Sequence, residues 1–258
     1  MTDFERGAKT TGSKFYFQTG EDAVMEWNLI NRMIEYHRKN GWEFVIPPYL
    51  VNKNVGIWAG ILPRFEGDFY QTTEGLMLIP TAETPMVGMH ADEIFKEDEL
   101  PRKYVAFSPC FRKEAGTYGA KDKGLRRVHQ FHKIELFALC TPEQSEDLHN
   151  EMVKQVCAML DGFNLKWRTV ELAANDRSPV SNKTIDVELS VGDEWLEVSS
   201  ISNMGDNQSK LAQIRYKPKA GGKNVKVHML NGSGVALPRL LVALQDRKKE
   251  FARCKKRK

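Results

Sequence analysis

Cysteine is scarce in this chain: four residues in 258, at positions 110, 140, 157 and 254, with no paired spacing. That argues against a disulfide-built fold and makes free thiols in a reducing compartment the expectation. Long apolar runs are missing as well. The best one, Val235 to Leu244, is interrupted by Pro238 and Arg239 and falls short of the roughly 18–20 residues that cross a bilayer. The opening Met1-Thr2-Asp3-Phe4-Glu5-Arg6 lacks the apolar stretch of a signal peptide, so a cytoplasmic location is expected. There is no internal repeat, no Gly-x-x-x-x-Gly-Lys-Ser/Thr phosphate loop and no Gly-x-Gly-x-x-Gly after a strand.

What is present is ordinary for a folded protein: 41% hydrophobic and 28% charged residues, enough chain to bury a core without metal or disulfide. The formal charge of +4 is unevenly placed. Residues 247–258 carry eight Lys or Arg against one Glu, a balance of +7, which leaves the other 246 residues at −3. A body of that sign speaks against a protein that coats nucleic acid. The expected organisation is one domain over residues 1–246 and a basic C-terminal tail over 247–258.

Apolar spacing predicts a helix over 22–39 stopped by Gly41, a strand over 42–51 broken at Pro47-Pro48, a short strand at 75–80 and a helix over 84–95. Strong alternation predicts two long strands, 104–112 and 128–140, around a Gly-rich loop at 115–124. Pro142 opens a helix to about residue 160, followed by strands near 166–172, 183–190 and 194–202. A polar stretch, a strand at 226–230 and a helix from about 235 complete the chain. Adjacent strands joined by loops give an α+β fold: an antiparallel β-sheet flanked by helices.

Three constellations could carry chemistry. On the paired strands, Arg112, Glu114, Phe131, Lys133 and Glu135 share one face. A guanidinium there suits a phosphate, and an aromatic ring suits a base; a solvated charged hairpin has the same pattern and is the commoner case. Glu197 and Ser200 offer oxygen ligands for a hard cation such as Mg²⁺, as a half-exposed sheet face also would. In Asn231-Gly232-Ser233-Gly234-Val235, a strand is read as ending in a Gly-Ser-Gly turn that opens an apolar helix bearing Arg239. That Arg either meets an anion or snorkels to the surface.

In this order the segments resemble the three signature motifs of class II aminoacyl-tRNA synthetases, specifically the seryl-tRNA synthetase family. Thr11-Gly12-Ser13-Lys14-Phe15-Tyr16-Phe17 and Pro47-Pro48-Tyr49-Leu50-Val51-Asn52 are similar to its motif 1 region, and Leu62-Pro63-Arg64-Phe65-Glu66 and Ile79-Pro80-Thr81-Ala82-Glu83 follow suit. Pro109 to Glu135 is similar to motif 2, the Glu197-Val198-Ser199-Ser200 strand precedes motif 3, and the Arg239 helix is similar to motif 3. The similarity runs from about residue 8 to about 245. It implies ATP-dependent formation of seryl-adenylate and transfer of the seryl group to tRNA(Ser). The alternatives are a seryl-adenylate-forming ligase that loads a carrier protein or small amine, and a non-catalytic regulatory paralog.

By the same resemblance, Arg112 is expected to hold the α-phosphate and the serine carboxylate, with Arg239 the second catalytic arginine. The ATP site is expected to comprise Arg112, Glu114 at the adenine amino group, Arg127 near the terminal phosphates, Phe131 beneath the ring, Glu197, Ser200 and Arg239. Glu197 and Ser200 are expected to hold Mg²⁺, and no zinc is expected. The serine site is expected to comprise Thr81 and Glu135 at the ammonium, Arg112, and Asn231 and Ser233 near the hydroxyl. The resemblance further implies a homodimer through the Pro47 region and weak contact with the tRNA acceptor end, because no segment before Thr11 builds the family's helical arm. His129, His132, Cys110, Trp27 and Trp42 are expected to pack. The sequence departs from the family at Ala120-Lys121-Asp122-Lys123, across residues 174–182 and at Gln245-Asp246.

Overall fold

The structure, a computed structural model, describes residues 2–64, 66–114 and 124–255, with side chains described as far as residue 247. Most of the loop expected at 115–124 lies outside the described residues, as do the Cys254 side chain and those of most of the basic tail.

In chain order the elements are β1 (Thr2–Asp3), α1 (Phe4–Thr10), β2 (Phe17–Gln18), α2 (Glu21–Lys39), β3 (Glu43–Val45), β4 (Leu50–Val51) and α3 (Lys53–Trp58). Then come β5 (Met77–Leu78), α4 (Glu83–Met89), β6 (Ile94–Lys96), β7 (Arg102–Phe111), β8 (Gln130–Cys140), α5 (Ser145–Asp161) and β9 (Trp167–Glu171). The last are β10 (Lys183–Val191), β11 (Glu194–Gly205), α6 (Asn207–Ala212), β12 (Arg215–Lys217), β13 (Val225–Lys226), β14 (His228–Ala236) and α7 (Leu237–Lys255). A seven-stranded sheet in the order β3-β7-β8-β14-β11-β10-β9 forms the frame. Every pairing in it is antiparallel except β3 with β7 at one edge, so the expected α+β architecture holds with one parallel edge strand.

Local chemistry explains the helices that cover it. α2 has Glu21 and Asp22 in its first turn and His37, Arg38 and Lys39 in its last, each matching the helix dipole. Leu29, Ile30, Met33 and Ile34 recur on its buried face. α5 is entered through a capping box, in which the Thr141 N–H donates to Gln144 Oε1 at 3.0 Å. Its buried residues Leu148, Met152, Val156 and Leu160 join the α2 face, Ile134 and Leu136 of β8, and Leu237, Leu240 and Leu241 of α7 in the main core. Each such side chain contributes roughly 1.5–3 kcal/mol on leaving water. A second core on the other face gathers Met86, Val87, Phe95, Phe137, Leu139, Ile214 and Met229.

Four expectations need correction. The helix predicted to Phe95 ends at Met89; Asp92 turns the chain at φ 64°, and Ile94–Lys96 run parallel to Arg215–Lys217 as a strand. The polar stretch after residue 202 is structured: β11 continues to Gly205, α6 follows, and β12 and β13 pair. The strand predicted to stop at Leu230 runs to Ala236. Gly232-Ser233-Gly234 is therefore strand, not turn. Its glycines are selected by crowding: a Cβ on Gly232 would sit 2.9 Å from Ile201 Cγ1, and one on Gly234 would sit 2.8 Å from Ile134 Cγ2. Finally, the proposed boundary at residue 246 falls inside α7, which runs on to Lys255.

Candidate active site

The site opens where β8, β14 and β11 lie side by side at the centre of the sheet, with the end of β7 and the starts of α4 and α7 at its rim. Strand alternation puts Phe131, Lys133 and Glu135 on one face of β8, all three buried. On β14, Asn231 and Ser233 share a face, and Ser233 is the register partner of Glu135.

β11 needs a different explanation, because Glu197 and Ser200 are three residues apart and would face opposite ways in a regular strand. Val187 pairs with Ser199 and Glu188 pairs with Glu197, so Val198 is an inserted residue, a β-bulge. The bulge restores the phase, and Glu197, Ser200 and Ser202 all line the same cavity.

Two adjoining cavities result. The larger, about 510 Å³, is lined by Thr81, Glu83, Glu135, Asn231, Ser200 and Ser202 among others, with Ala59, Ile61, Val180 and Met204 forming an apolar wall. The smaller, about 60 Å³, is lined by Phe131, Arg126, Ala236, Pro238 and Arg239. Arg112, Glu114, Arg127, Lys133, Glu197 and Ser233 line both. The two cavities thus bring together every site residue expected from the sequence.

Arg112 follows the last residue of β7. Its N–H donates to His129 O at 2.9 Å, its own carbonyl meets His129 Nδ1 at 2.8 Å, and its Nε donates to Pro80 O at 3.2 Å. The guanidinium lies 5.2 Å from the Phe131 ring centroid, within cation–π range. Glu114, at φ 52°, forms an ion pair with Arg127. Arg239, in the first turn of α7, donates from Nη1 to Glu197 O at 2.9 Å and is 3.1 Å from Glu197 Oε1. The arginine of motif 3 type is therefore anchored to the candidate cation-binding carboxylate across the smaller cavity.

At the floor of the larger cavity, Lys133 Nζ lies 2.5 Å from Glu135 Oε2 and donates to Thr81 Oγ1 at 2.8 Å; Thr81 Oγ1 donates to Glu135 Oε2 at 3.1 Å. Beside them, Glu83 Oε1 accepts from Asn231 Nδ2 at 2.7 Å and from Gln208 Nε2 at 2.6 Å. Burial, with the charge of Glu135 next, pushes the Glu83 carboxyl up to about 7. On β10, burial pushes Asp186 up to about 6, although Ser200, its register partner on β11, hydrogen-bonds to it. Asp186 Oδ1 has no hydrogen-bond partner among the described residues.

Glu83, Gln208 and Asp186 join the site beyond the residues expected there, as does Lys133, of which no role is expected. Glu83 stood within a quoted segment, two residues from Thr81, but nothing in its spacing signalled burial. Gln208 sits on α6, within the segment expected only to be a polar stretch. Of the residues expected to pack, Cys110 and Trp42 are buried, His132 pairs with Glu26 at 2.8 Å while staying partly exposed, and His129 braces Arg112. Trp27 packs edge-on against Phe107 but remains 56% exposed.

Residues 65–248 match the family model for the tRNA synthetase class II core domain (G, H, P, S and T). The chain is 41% identical over 254 residues to serine–tRNA ligase 2 of Clostridium acetobutylicum, covering 95% of this chain and 60% of that protein. It is 44% identical over 247 residues to the serine–tRNA ligase of Leptospira biflexa, covering 94% and 59%. Among solved structures, seryl-tRNA synthetase from Pyrococcus horikoshii complexed with ATP superposes with a TM-score of 0.92 at 37% identity, covering 95% of this chain and 56% of that one. Prolyl-tRNA synthetase of Giardia lamblia in complex with prolyl-adenylate gives 0.83 at 18% identity, covering 95% and 50%, a likeness of fold alone. The chain spans about three fifths of the length of the curated relatives it matches.

Proposed function

This chain belongs to the family of class II tRNA synthetase core domains, and from that premise we propose that it activates serine with ATP to seryl-adenylate and passes the seryl group to tRNA. The observation that carries the reading is the position of Arg112, which lines both cavities. One fixed cation there can hold the serine carboxylate on one side and the α-phosphate on the other, bringing two anions into reacting distance.

In the proposed step, a serine carboxylate oxygen attacks the α-phosphorus, the bond to the β-phosphate oxygen breaks, and pyrophosphate leaves. Arg112 offsets the charge on the α-phosphoryl oxygens as it is redistributed. The adenine ring lies between Phe131 and Arg239, and Glu114 accepts from its amino group. Arg127 leaves its ion pair with Glu114 to meet the terminal phosphates. In the larger cavity Thr81 and Glu135 take the serine ammonium, while Asn231 and Ser233 meet the hydroxyl. Polar groups left unpaired by alanine are what reject it.

The donor set fits Mg²⁺: Glu197 and Ser200 present oxygen ligands on one face, next to Asp186 with its unpartnered, buried Oδ1. Glu197 and Ser200 would hold the ion, which when bound supplies charge neutralisation at the phosphates. Among the described residues no three His, Cys, Asp or Glu side chains group to hold a metal by themselves. Ile46, Tyr49 and Leu50, exposed around Pro47, support a homodimer through that region. No helix of the described residues is long and apolar enough to cross a membrane.

Serine-dependent exchange of labelled pyrophosphate into ATP tests the activation step. Exchange no greater than that of an Arg112→Ala control would sink it. Charging of purified tRNA, against loading of a carrier protein or small amine, then tests the acceptor.

A further inference from the structure

Gln208 stands outside every expected site residue, yet it is fully buried and one side chain removed from the amino-acid cavity. It is the second residue of α6, and Ser209 beside it fixes that turn by donating from Oγ to Val227 O at 2.7 Å. Gln208 Nε2 donates to two acceptors at once, Ala59 O at 3.0 Å and Glu83 Oε1 at 2.6 Å. Two acceptors on one side determine which way the amide faces. The consequence is that Gln208 Oε1 is buried with no hydrogen-bond partner among the described residues. The orientation therefore rests on the two donations from Nε2, with Oε1 given no partner among the described residues.

What the orientation secures is the next link. Glu83 Oε1, held by the Gln208 amide, accepts at the same oxygen from Asn231, which turns its Nδ2 there at 2.7 Å. The Asn231 carbonyl oxygen is then the end left for a ligand in the cavity, where it can accept a hydrogen bond but cannot offer one. We propose that Gln208 is a positioning residue for amino-acid selection: through Glu83 it sets the Asn231 amide so that the cavity favours a ligand bearing a side-chain donor, such as a hydroxyl, over an alanine-sized apolar one. This rests on the activation reading given above.

Gln208→Met keeps the shape and removes both donations. The expected result in pyrophosphate exchange is a KM for serine raised about tenfold or more, the KM for ATP within about twofold of the parent, and discrimination against alanine reduced by a similar factor. Unchanged ATP binding shows that the variant is folded. Gln208→Glu supplies a second readout. At low pH the facing carboxyls share a proton, which restores a donor to Glu83; at high pH both ionise and repel. Its serine KM therefore falls as pH drops from 8 to 6, while the parent's rises over that range as Glu83 takes up its proton. An unchanged serine KM in Gln208→Met, equal rises in both KM values, or parallel pH profiles for Gln208→Glu and the parent would overturn the proposal. A parent protein that neither binds nor exchanges serine would remove the activation reading itself, whereas an active parent matched by Gln208→Met removes only the role of Gln208.

Discussion

Lys133 Nζ and Glu135 Oε2 lie 2.5 Å apart on one face of β8, both side chains almost wholly buried beneath the larger cavity. A pair of opposite charges removed from water in this way adds little to stability as a pair, but each charge depends on the other. Lys133→Met should destabilise the fold by about 3–5 kcal/mol, because Glu135 is left buried and uncompensated. The double variant Lys133→Met/Glu135→Leu should recover much of that stability while losing serine binding. Chemical denaturation of the four proteins in this cycle measures the coupling, and a near-additive result would contradict the account.

The smaller cavity makes a separable claim about ATP. Phe131→Ala removes the proposed stacking surface, worth on the order of 1–3 kcal/mol per base. The dissociation constant for ATP should rise about 5- to 150-fold, with the affinity for serine little changed. Calorimetric titration with each ligand in turn checks this.

Glu197→Gln retains shape and removes the charge proposed to hold Mg²⁺. The concentration of Mg²⁺ needed for half-maximal ATP binding should rise about tenfold or more, since loss of a metal ligand or its support typically costs 10- to 100-fold in affinity. Quenching by Mn²⁺ of a fluorescent ATP analogue reads the ion directly, apart from activity. An unchanged Mg²⁺ requirement would remove Glu197 from the cation site.

His37, on α2, is fully buried beside Trp42 and Gly234, and neither ring nitrogen has a hydrogen-bond partner within normal geometry among the described residues. Burial pushes its pKa from 6.5 down to about 4, with the nearby Gln155 offsetting part of the effect. The unfolded chain thus binds more protons than the folded one between those values. The neutral ring's contribution is complete above about pH 6.5 and is lost as pH falls towards 4, a swing of roughly 3 kcal/mol. Glu83 and Asp186, raised by burial to about 7 and about 6, act in the opposite sense, because the folded state keeps their protons longer as pH rises. Comparing the parent with His37→Leu cancels those two. The stability difference between the two proteins should shift in the variant's favour by that amount from pH 6.5 to 4; a flat difference would refute the assignment.

Much of the framework was legible because β7 and β8 alternate strongly and α2 and α5 keep an amphipathic period, so burial in the tertiary structure agrees with local pattern. The roles expected of Arg112, Phe131 and Glu197 were legible through the resemblance of their motifs, not through local periodicity; Arg112 and Phe131 lie on or next to regular strands, whereas Glu197 reaches the site face beside a bulge. Gly232 and Gly234 were misread because glycine signals a turn when only the local chain is considered, whereas here the space taken by Ile201 and Ile134 of neighbouring strands requires it. Gln208 and Glu83 were invisible for a related reason. α6 is six residues long, too short for a periodic signal, and the burial of both side chains is produced by β11, α3 and α4 meeting from distant parts of the chain. The bulge at Val198 is likewise a property of pairing with β10 and has no mark in β11 alone.

The central claim is selection of serine for adenylate formation, and a pyrophosphate-exchange panel over the twenty standard amino acids tests it most directly. The account predicts exchange with serine, loss of that exchange in Arg112→Ala, and alanine poorer than serine by about 100-fold or more. Exchange driven best by another amino acid, or by none of them, would contradict it.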